Sequence, residues 1–179
     1  MNAKERYQKE VVPMLKKELG VTNVHATPRV AKVVVSVGFP AAKQDQKMLE
    51  LMEQTLKRIT GQKPVRTKAK KSIASFKIRE GMVVGLMVTL RGQRMWDFLT
   101  RLTDATFPRI RDFRGISTKL VDAKGNISIG FRENLAFPEI RPDEVERVHG
   151  LQITVSSTAG SKKAGILLFK GLGFPFHNA

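Results

Sequence analysis

The feature that most constrains the fold is a strict alternation of apolar and polar residues near the carboxyl end of the chain. The alternating residues are Leu151, Ile153 and Val155 against Gln152, Thr154 and Ser156. Because successive side chains of a strand point to opposite faces, this pattern predicts an antiparallel strand with one buried and one polar face. The other segments that we predict as strands are Val30–Val37, Val65–Lys70, Val83–Arg91 and Asn126–Phe131.

Apolar residues at helical spacing predict helices between these strands. The predicted helices cover residues 2–19, Gln44–Thr60, Gln93–Thr106 and Ala164–Lys170. Pro13 lies inside the first, so it either kinks that helix or begins a new one. Helices and strands do not alternate regularly, so we expect an α+β fold. We expect a mainly antiparallel sheet with helices packed on one face and an open polar and basic face. The length of the chain favours one domain over residues 1–179.

Positive charge is concentrated in one part of the chain. Lys and Arg number 32 against 16 Asp and Glu, a formal charge of +16, and Lys57–Arg94 holds eleven of the basic residues with one acid, Glu80. Such an excess persists when a polyanion neutralises it, and RNA, DNA and an anionic membrane surface are the candidates. A solvated, lysine-coated helix face is the usual alternative. Because Lys57–Arg94 is predicted to be mostly non-helical and has little acid, we favour a nucleic-acid contact surface.

The alternation of strand residues predicts which side chains share a face. On the third predicted strand, Val84, Leu86, Val88 and Leu90 lie opposite Gly85, Met87, Thr89 and Arg91. On the first, Lys32, Val34 and Ser36 lie opposite Val33, Val35 and Val37, and on the second Arg66, Lys68 and Lys70 share one face. One face of the sheet can therefore be buried and the other left polar and basic, where phosphate and ribose contacts along an RNA groove would form. A β-bulge would invert part of this assignment.

The connection between the second and third predicted strands, at about residues 71–82, is too long for a tight turn. Such loops are commonly functional or mobile. Lys77 and Arg79 alternate there with Phe76 and Ile78. The loop could protrude to reach a second RNA, or fold back and bury Phe76 and Ile78. Composition alone does not separate these two readings.

Few residue patterns in the chain suggest an enzyme, a metal site or a membrane anchor. There is no cysteine, and His25, His149 and His177 are isolated, so we expect no metal, cofactor or thiol chemistry. Gly160–Gly165 has the glycine spacing of a phosphate-binding loop but lacks its Lys and its Ser or Thr. Asp143, Glu144 and Glu146 suggest a helix start more than a catalytic pair. With no secretory signal and no run of about 18 apolar residues, we expect a cytoplasmic protein without membrane contact.

An ordered set of short motifs spans nearly the whole chain. The motifs are Gly61-Gln-Lys-Pro64, Thr67-Lys-Ala-Lys-Lys-Ser72, Phe76-Lys-Ile-Arg79, Val88-Thr-Leu-Arg-Gly92, Met95-Trp96, Pro108-Arg-Ile-Arg-Asp-Phe-Arg-Gly115, Phe137-Pro-Glu-Ile140, Gly150-Leu-Gln-Ile153 and Phe174-Pro-Phe176. In this order and spacing the chain resembles the bacterial L-five family of ribosomal proteins. The resemblance implies a non-catalytic α+β protein of the ribosome. It would bind 5S rRNA and anchor it to 23S rRNA in the central protuberance beside other 5S-associated large-subunit proteins. It would also contact P-site tRNA and form an intersubunit bridge with a small-subunit head protein.

The resemblance also implies which residues make these contacts. The 5S rRNA surface would comprise Ser36, Gln62, Lys68, Lys70, Thr89, Arg91 and Arg94, and the alternation along the first strand adds Lys32 to it. The tRNA-contact loop would present Phe76, Lys77, Ile78 and Arg79, and the bridge would lie around Arg109–Gly115 and Pro138–Glu146, with Arg109, Arg111, Asp112 and Arg114 as candidates. The family usually has Asn at the position of Ser36 and often Gly-x-Gly where this chain has Gly38-Phe-Pro40. Ser36 keeps a hydroxyl but lacks the paired donor and acceptor of an amide. Three alternatives stay open, namely a DNA-binding architectural protein, an enzyme acting on nucleotides or phosphate esters, and a membrane-surface protein.

Overall fold

The computed structural model describes residues 2–39, 46–141 and 148–177, and in them it shows an α+β fold with an open antiparallel sheet. The strands are β1 (Val30–Gly38), β2 (Val65–Lys68), β3 (Val83–Leu90), β4 (Ile127–Phe131) and β5 (Leu151–Ser157). Their order across the sheet is β2-β3-β1-β5-β4. The predicted fold class is therefore confirmed. Each predicted strand is present, with ends that differ by at most two residues.

Burial along the strands follows the predicted alternation. Val33, Val35 and Val37 of β1 are buried, whereas Lys32, Val34 and Ser36 between them are half-buried. On β5, Leu151, Ile153 and Val155 are buried in the same way, and on β3 Leu86, Val88 and Leu90 are. Because β-branched and other apolar side chains repeat at every second position, β1, β3 and β5 each have one face that enters the core. The short β2 has no buried residue.

The helices are α1 (Ala3–Arg6), α2 (Val12–Leu19), α3 (Gln46–Thr60), α4 (Gly92–Arg101), α5 (Phe107–Arg109) and α6 (Lys162–Gly171). A π-helical turn, Tyr7–Val11, joins α1 to α2 without a break, and Pro13 lies in the first turn of α2. Proline cannot donate a backbone hydrogen bond, and its ring crowds the carbonyl four residues earlier, so the wider turn accommodates it. Gly20 ends α2 in a left-handed conformation at φ 65°. A second π-helical turn, Leu102–Thr106, joins α4 to α5.

The chain forms two compact units. Unit 1 comprises Met1–Val33, Leu90–Ile129 and Thr154–Ala179, and unit 2 comprises Val34–Thr89 and Gly130–Ile153. That the whole chain folds as one domain stays a prediction. No helix among the described residues is both long enough and apolar enough to cross a membrane.

Unit 1 has an aromatic core. The Phe107 ring stacks on Phe113 at 5.6 Å between centroids and meets the edge of Phe174 at 5.5 Å, and Phe169 lies 5.3 Å from Phe174. Tyr7 packs on Trp96 at 5.4 Å, next to a hydrogen bond of 2.9 Å from the Ala3 amide to Thr100 Oγ1. These contacts join the amino-terminal helices to α4 and the chain end to α5.

In unit 2, one face of α3 supplies the core. The buried residues of α3 are Leu49, Met52, Leu56, Ile59 and Thr60. Their spacing of three and four residues keeps them on one side of the helix. The Phe131 and Phe137 rings lie 5.4 Å apart in the same unit. Unit 2 therefore has an apolar core of its own.

Candidate nucleic-acid interface

The strand pair β2–β3 in unit 2 has one face that is exposed. Val65 pairs with Met87 across the two strands, and these side chains are 63% and 37% exposed. Thr89, two residues beyond Met87 and therefore on the same face, is half-buried. We call the face defined by Val65, Met87 and Thr89 the open face. The sequence placed Met87 and Thr89 on such a face but gave no role to Val65.

Gly85 lies on the open face where the strands approach each other closely. A Cβ atom at this position would lie 2.6 Å from the Val37 carbonyl oxygen and 3.1 Å from Thr67 Oγ1. Real Cβ atoms essentially never come within 3.0 Å of another atom in this way. The missing side chain therefore lets β1 and β3 lie side by side at this point.

Arg66 lies on the other face of β2, which corrects the grouping expected from the sequence. It pairs with Leu86, which is 1% exposed, and residues directly opposite each other on antiparallel strands share a face. Its Nη2 binds Glu53 Oε2 of α3 at 2.9 Å, and its Nε lies 3.3 Å from the same oxygen. Arg66 therefore holds β2 to the covering helix. The register of β2 on β3 shifts after Thr67, the kind of irregularity that breaks an assignment by alternation.

Five of the predicted 5S rRNA contacts belong to unit 2. Lys68 and Lys70 are exposed at and just beyond the end of β2, while Ser36, Gln62 and Thr89 are half-buried. Gln62 follows Gly61, which lies just after α3 in a left-handed conformation at φ 67°. The backbone amide of Gln62 donates a hydrogen bond to Thr60 Oγ1 at 3.3 Å. These five side chains are thus all at least partly accessible, and Thr89 belongs to the open face.

The other three predicted contacts belong to unit 1. Lys32 is half-buried on β1, and Arg91 and Arg94 are exposed at the start of α4. Arg91 is the N-cap residue of α4 but makes no side-chain capping bond, so its guanidinium does not serve the helix end. A helix start carries partial positive charge, and two cations there suit an anionic ligand.

Residues 69–82 form what we call the loop hairpin. Ile73 and Ile78 exchange backbone hydrogen bonds of 2.8 and 3.1 Å, and the Ala69 amide donates to the Met82 carbonyl at 2.8 Å. Lys77 turns the chain in a left-handed conformation at φ 53°. Phe76 is 67% exposed at this turn, so the reading in which Phe76 folds back into the core is wrong. Lys77 and Arg79 are exposed beside it, and Ile78 is half-buried.

The residues expected at the bridge form an exposed basic turn after α5. Arg109, Arg111, Asp112 and Arg114 are all exposed, and Asp112 adopts a φ of 51°. Phe113 anchors this turn through its stacking on Phe107. The second expected bridge segment is described only as far as Arg141. Its later part lies outside the described residues, as do Pro40, Asp143, Glu144 and Glu146.

The glycine spacing at Gly160–Gly165 has a packing explanation. A Cβ on Gly165 would lie 2.5 Å from the Gly125 Cα, so the first half of α6 packs against the Asp122–Asn126 turn, backbone to backbone. Within the parts of the chain that the structure covers, no three His, Asp or Glu side chains are grouped so that they could hold a metal ion.

Comparison with known proteins agrees with the ordered motifs. A sequence model of the C-terminus of the ribosomal L5 family matches residues 83–176, and one described as "Ribosomal protein L5" matches residues 23–79. Among curated proteins, "Large ribosomal subunit protein uL5" of Halothermothrix orenii is 49% identical over 173 residues, and that of Microcystis aeruginosa is 51% identical over 173. Each alignment covers 97% of both chains. The protein of the same name from Prochlorococcus marinus is 48% identical over 178 residues, 99% of each chain. This chain therefore belongs to the uL5 family of large ribosomal subunit proteins.

Proposed function

We propose that this large-subunit protein binds 5S rRNA and attaches it to 23S rRNA in the central protuberance. It contacts P-site tRNA through the loop hairpin and forms an intersubunit bridge with a small-subunit head protein, next to other 5S-associated proteins. Its role is positioning, without catalysis, metal or cofactor. The single observation that carries the proposal is the open face, which is exposed in a segment with ten more basic than acidic residues.

The chemistry of the open face suits an RNA groove. Thr89 offers a hydroxyl that can donate to or accept from a ribose 2′-hydroxyl. Val65 and Met87 offer apolar surface against which the carbon face of a ribose can pack. Lys68 and Lys70 are exposed at the end of the same strand, where they can neutralise phosphates. Arg91 and Arg94 of unit 1 are further cations that we expect to contact 5S rRNA.

The loop hairpin combines a base-stacking group with cations. Phe76 presents an aromatic ring to solvent, and aromatic rings stack on unpaired bases in many RNA-binding proteins. Lys77 and Arg79 flank it and can contact phosphates. This combination suits a partner with accessible bases, and we assign it to tRNA. The basic turn Arg109–Arg114 would take the bridge contact, where Arg side chains pair with acidic groups of the other subunit.

The deciding experiment is a filter-binding titration of the protein with 5S rRNA, tRNA and duplex DNA at several salt concentrations. We expect selective 5S rRNA binding that falls by roughly 0.7–0.9 log units per log unit of salt for each phosphate contacted. Arg91→Ala should weaken 5S binding and lower the slope by about one contact, whereas Arg132→Ala, an exposed arginine just after β4, should not. Equal binding of all three nucleic acids would favour a generic basic surface, including the DNA-binding alternative.

The loop hairpin needs a separate test. The double substitution Lys77→Ala/Arg79→Ala should leave 5S rRNA affinity unchanged and weaken P-site tRNA binding to ribosomes that carry the variant. A large loss of 5S rRNA affinity would place the loop hairpin in the 5S site instead.

A further inference from the structure

The first turn of α6 carries charge of the sign that its position disfavours. Ser161 caps the helix by accepting a hydrogen bond from the Ala164 amide at 3.3 Å, and the next two residues are Lys162 and Lys163. The turn contains no acidic residue. Cations at a helix start face the positive end of the helix dipole, so these two lysines lower rather than raise the stability of α6. Both side chains are exposed, and an anion would relieve the unfavourable arrangement.

Two further cations lie close to this end of α6, within unit 1. Lys124 precedes Gly125, whose backbone lies against the start of α6. A Cβ on Gly125 would be 2.7 Å from the Ser161 carbonyl oxygen. The Ser157 hydroxyl donates to the Gly125 carbonyl at 2.6 Å. Arg29 is joined to the same segment, because the Thr158 amide donates to the Arg29 carbonyl at 2.9 Å. We call Arg29, Lys124, Lys162 and Lys163 the α6 patch. All four are exposed.

Little neighbouring charge offsets the α6 patch. Asp122 is the nearby acid, and its carboxylate accepts hydrogen bonds from the Lys124 amide at 2.9 Å and from the Asn126 amide and side chain, each at 2.8 Å. It therefore holds its own turn together. Within residues 2–39, 46–141 and 148–177, no ion pair involves any of the four cations. None of them belongs to the proposed 5S surface, the loop hairpin or the bridge turn.

We infer that the α6 patch is a second RNA-binding surface, which holds the phosphates of a segment of 23S rRNA while the 5S rRNA surface is occupied. A protein that attaches one RNA to another needs two separate surfaces, so the inference rests on the proposed function. The four exposed cations lie on three segments joined by backbone contacts, and a cluster of positive charge of this kind suits a polyanion such as an RNA backbone. Lysine acts there as a point charge that tolerates different phosphate geometries.

The test compares two variants of the full chain that lose the same charge. Lys162→Gln/Lys163→Gln removes two cations of the α6 patch, and Lys16→Gln/Lys17→Gln removes two from the last turn of α2. Each protein is titrated with 5S rRNA alone, and then, with 5S rRNA saturating, with 23S rRNA at roughly 50 to 200 mM salt. We expect the first variant to bind 5S rRNA normally and 23S rRNA more weakly. Its salt slope for 23S rRNA should be smaller by roughly 1.4–1.8, so it should lose roughly 7- to 12-fold less affinity across that salt range.

Two outcomes would overturn the inference. The first is an unchanged slope for 23S rRNA in Lys162→Gln/Lys163→Gln. The second is an equal change in Lys16→Gln/Lys17→Gln, which would show a general effect of net charge. If the unaltered protein fails to bind 5S rRNA, the proposed function fails. In that case the α6 patch is tested by comparing the salt slopes of the two variants for 23S rRNA in the absence of 5S rRNA.

Discussion

Replacing Gly85 by alanine should destabilise the protein, because the added methyl group has no room. Its Cβ would lie 2.6 Å from the Val37 carbonyl oxygen, whereas ordinary contacts of a Cβ atom are 3.4–4 Å long. The backbone of β1 would have to move away by about 0.8 Å, in an interior that packs as densely as an organic crystal. A flexible side chain could yield to such a contact, but a strand carbonyl in a hydrogen-bonded sheet cannot do so freely.

The size of the effect follows from two opposing contributions. Overpacking of this kind costs about 1–3 kcal/mol. Alanine also restricts the unfolded chain relative to glycine, which returns about 0.4–1 kcal/mol. The midpoints of those two ranges differ by about 1.3 kcal/mol, so we expect the free energy of unfolding to fall by about 1–2 kcal/mol. For a chain of this length, that corresponds to a decrease in Tm of about 2–8 °C.

Gly130→Ala is the matched control. Gly130 also lies inside a strand, β4, but no atom lies within 4 Å of the position its Cβ would take. We expect this substitution to be neutral or to raise stability slightly, because only the effect on the unfolded chain remains. Urea unfolding of both variants and the unaltered protein gives the comparison. If Gly85→Ala were as stable as Gly130→Ala, the close approach of β1 and β3 would not constrain this position.

Three further substitutions test particular interactions. Arg66→Ala should cost no more than about 1 kcal/mol of stability, since the ion pair with Glu53 is partly exposed. It should leave the salt slope of 5S rRNA binding unchanged, and a lower slope would show that Arg66 contacts the RNA. Hydrogen bonds, the strongest from the Asn126 side chain and weaker ones from backbone amides, hold the pKa of Asp122 below its ordinary value of 3.8. The ionised carboxylate therefore stabilises the fold above pH 3.8, and this stabilisation is lost as the pH falls through the lowered pKa. Asp122→Asn should therefore flatten the acid limb of the unfolding free energy measured against pH, and an unaltered limb would contradict this account. Lys162→Gln/Lys163→Gln should raise stability by about 0.3–1 kcal/mol per charge removed, and a loss in urea unfolding would show that the lysines stabilise α6.

The sequence predicted the strands well because their signal is local. Alternation with a period of two fixes which residues of β5 are buried, and the valines of β1 repeat it. The outcome at Pro13 was less accessible, because a kink and a new helix both satisfied the pattern. In the structure, α2 begins at Val12 with Pro13 in its first turn, and the π-helical turn Tyr7–Val11 joins it to α1. The amino-terminal helices pack against α4 and α6, which lie far away in the sequence, and such contacts have no local signal.

The functional surfaces were predictable only in part. Alternation placed Met87 and Thr89 on an exposed face, but it could not place Arg66, whose side is decided by its partner Leu86 across the strands. Composition could not decide whether Phe76 is buried, because that depends on the left-handed turn at Lys77. The α6 patch was missed altogether. Gly125 and Gly165 are about 40 residues apart, and their contact has no local signal.

The internal hydrogen bonds of the loop hairpin have a kinetic consequence. A segment that folds only on binding pays its ordering entropy at each encounter and must be disordered again for release. In the loop hairpin, Glu80 and Ser72, Ile73 and Ile78, and Ala69 and Met82 are already bonded in the free protein. Phe76 is therefore presented before any partner arrives. Such a preformed contact would suit the tRNA that we propose as its partner, because neither the arrival nor the departure of the tRNA would have to wait for the loop to fold.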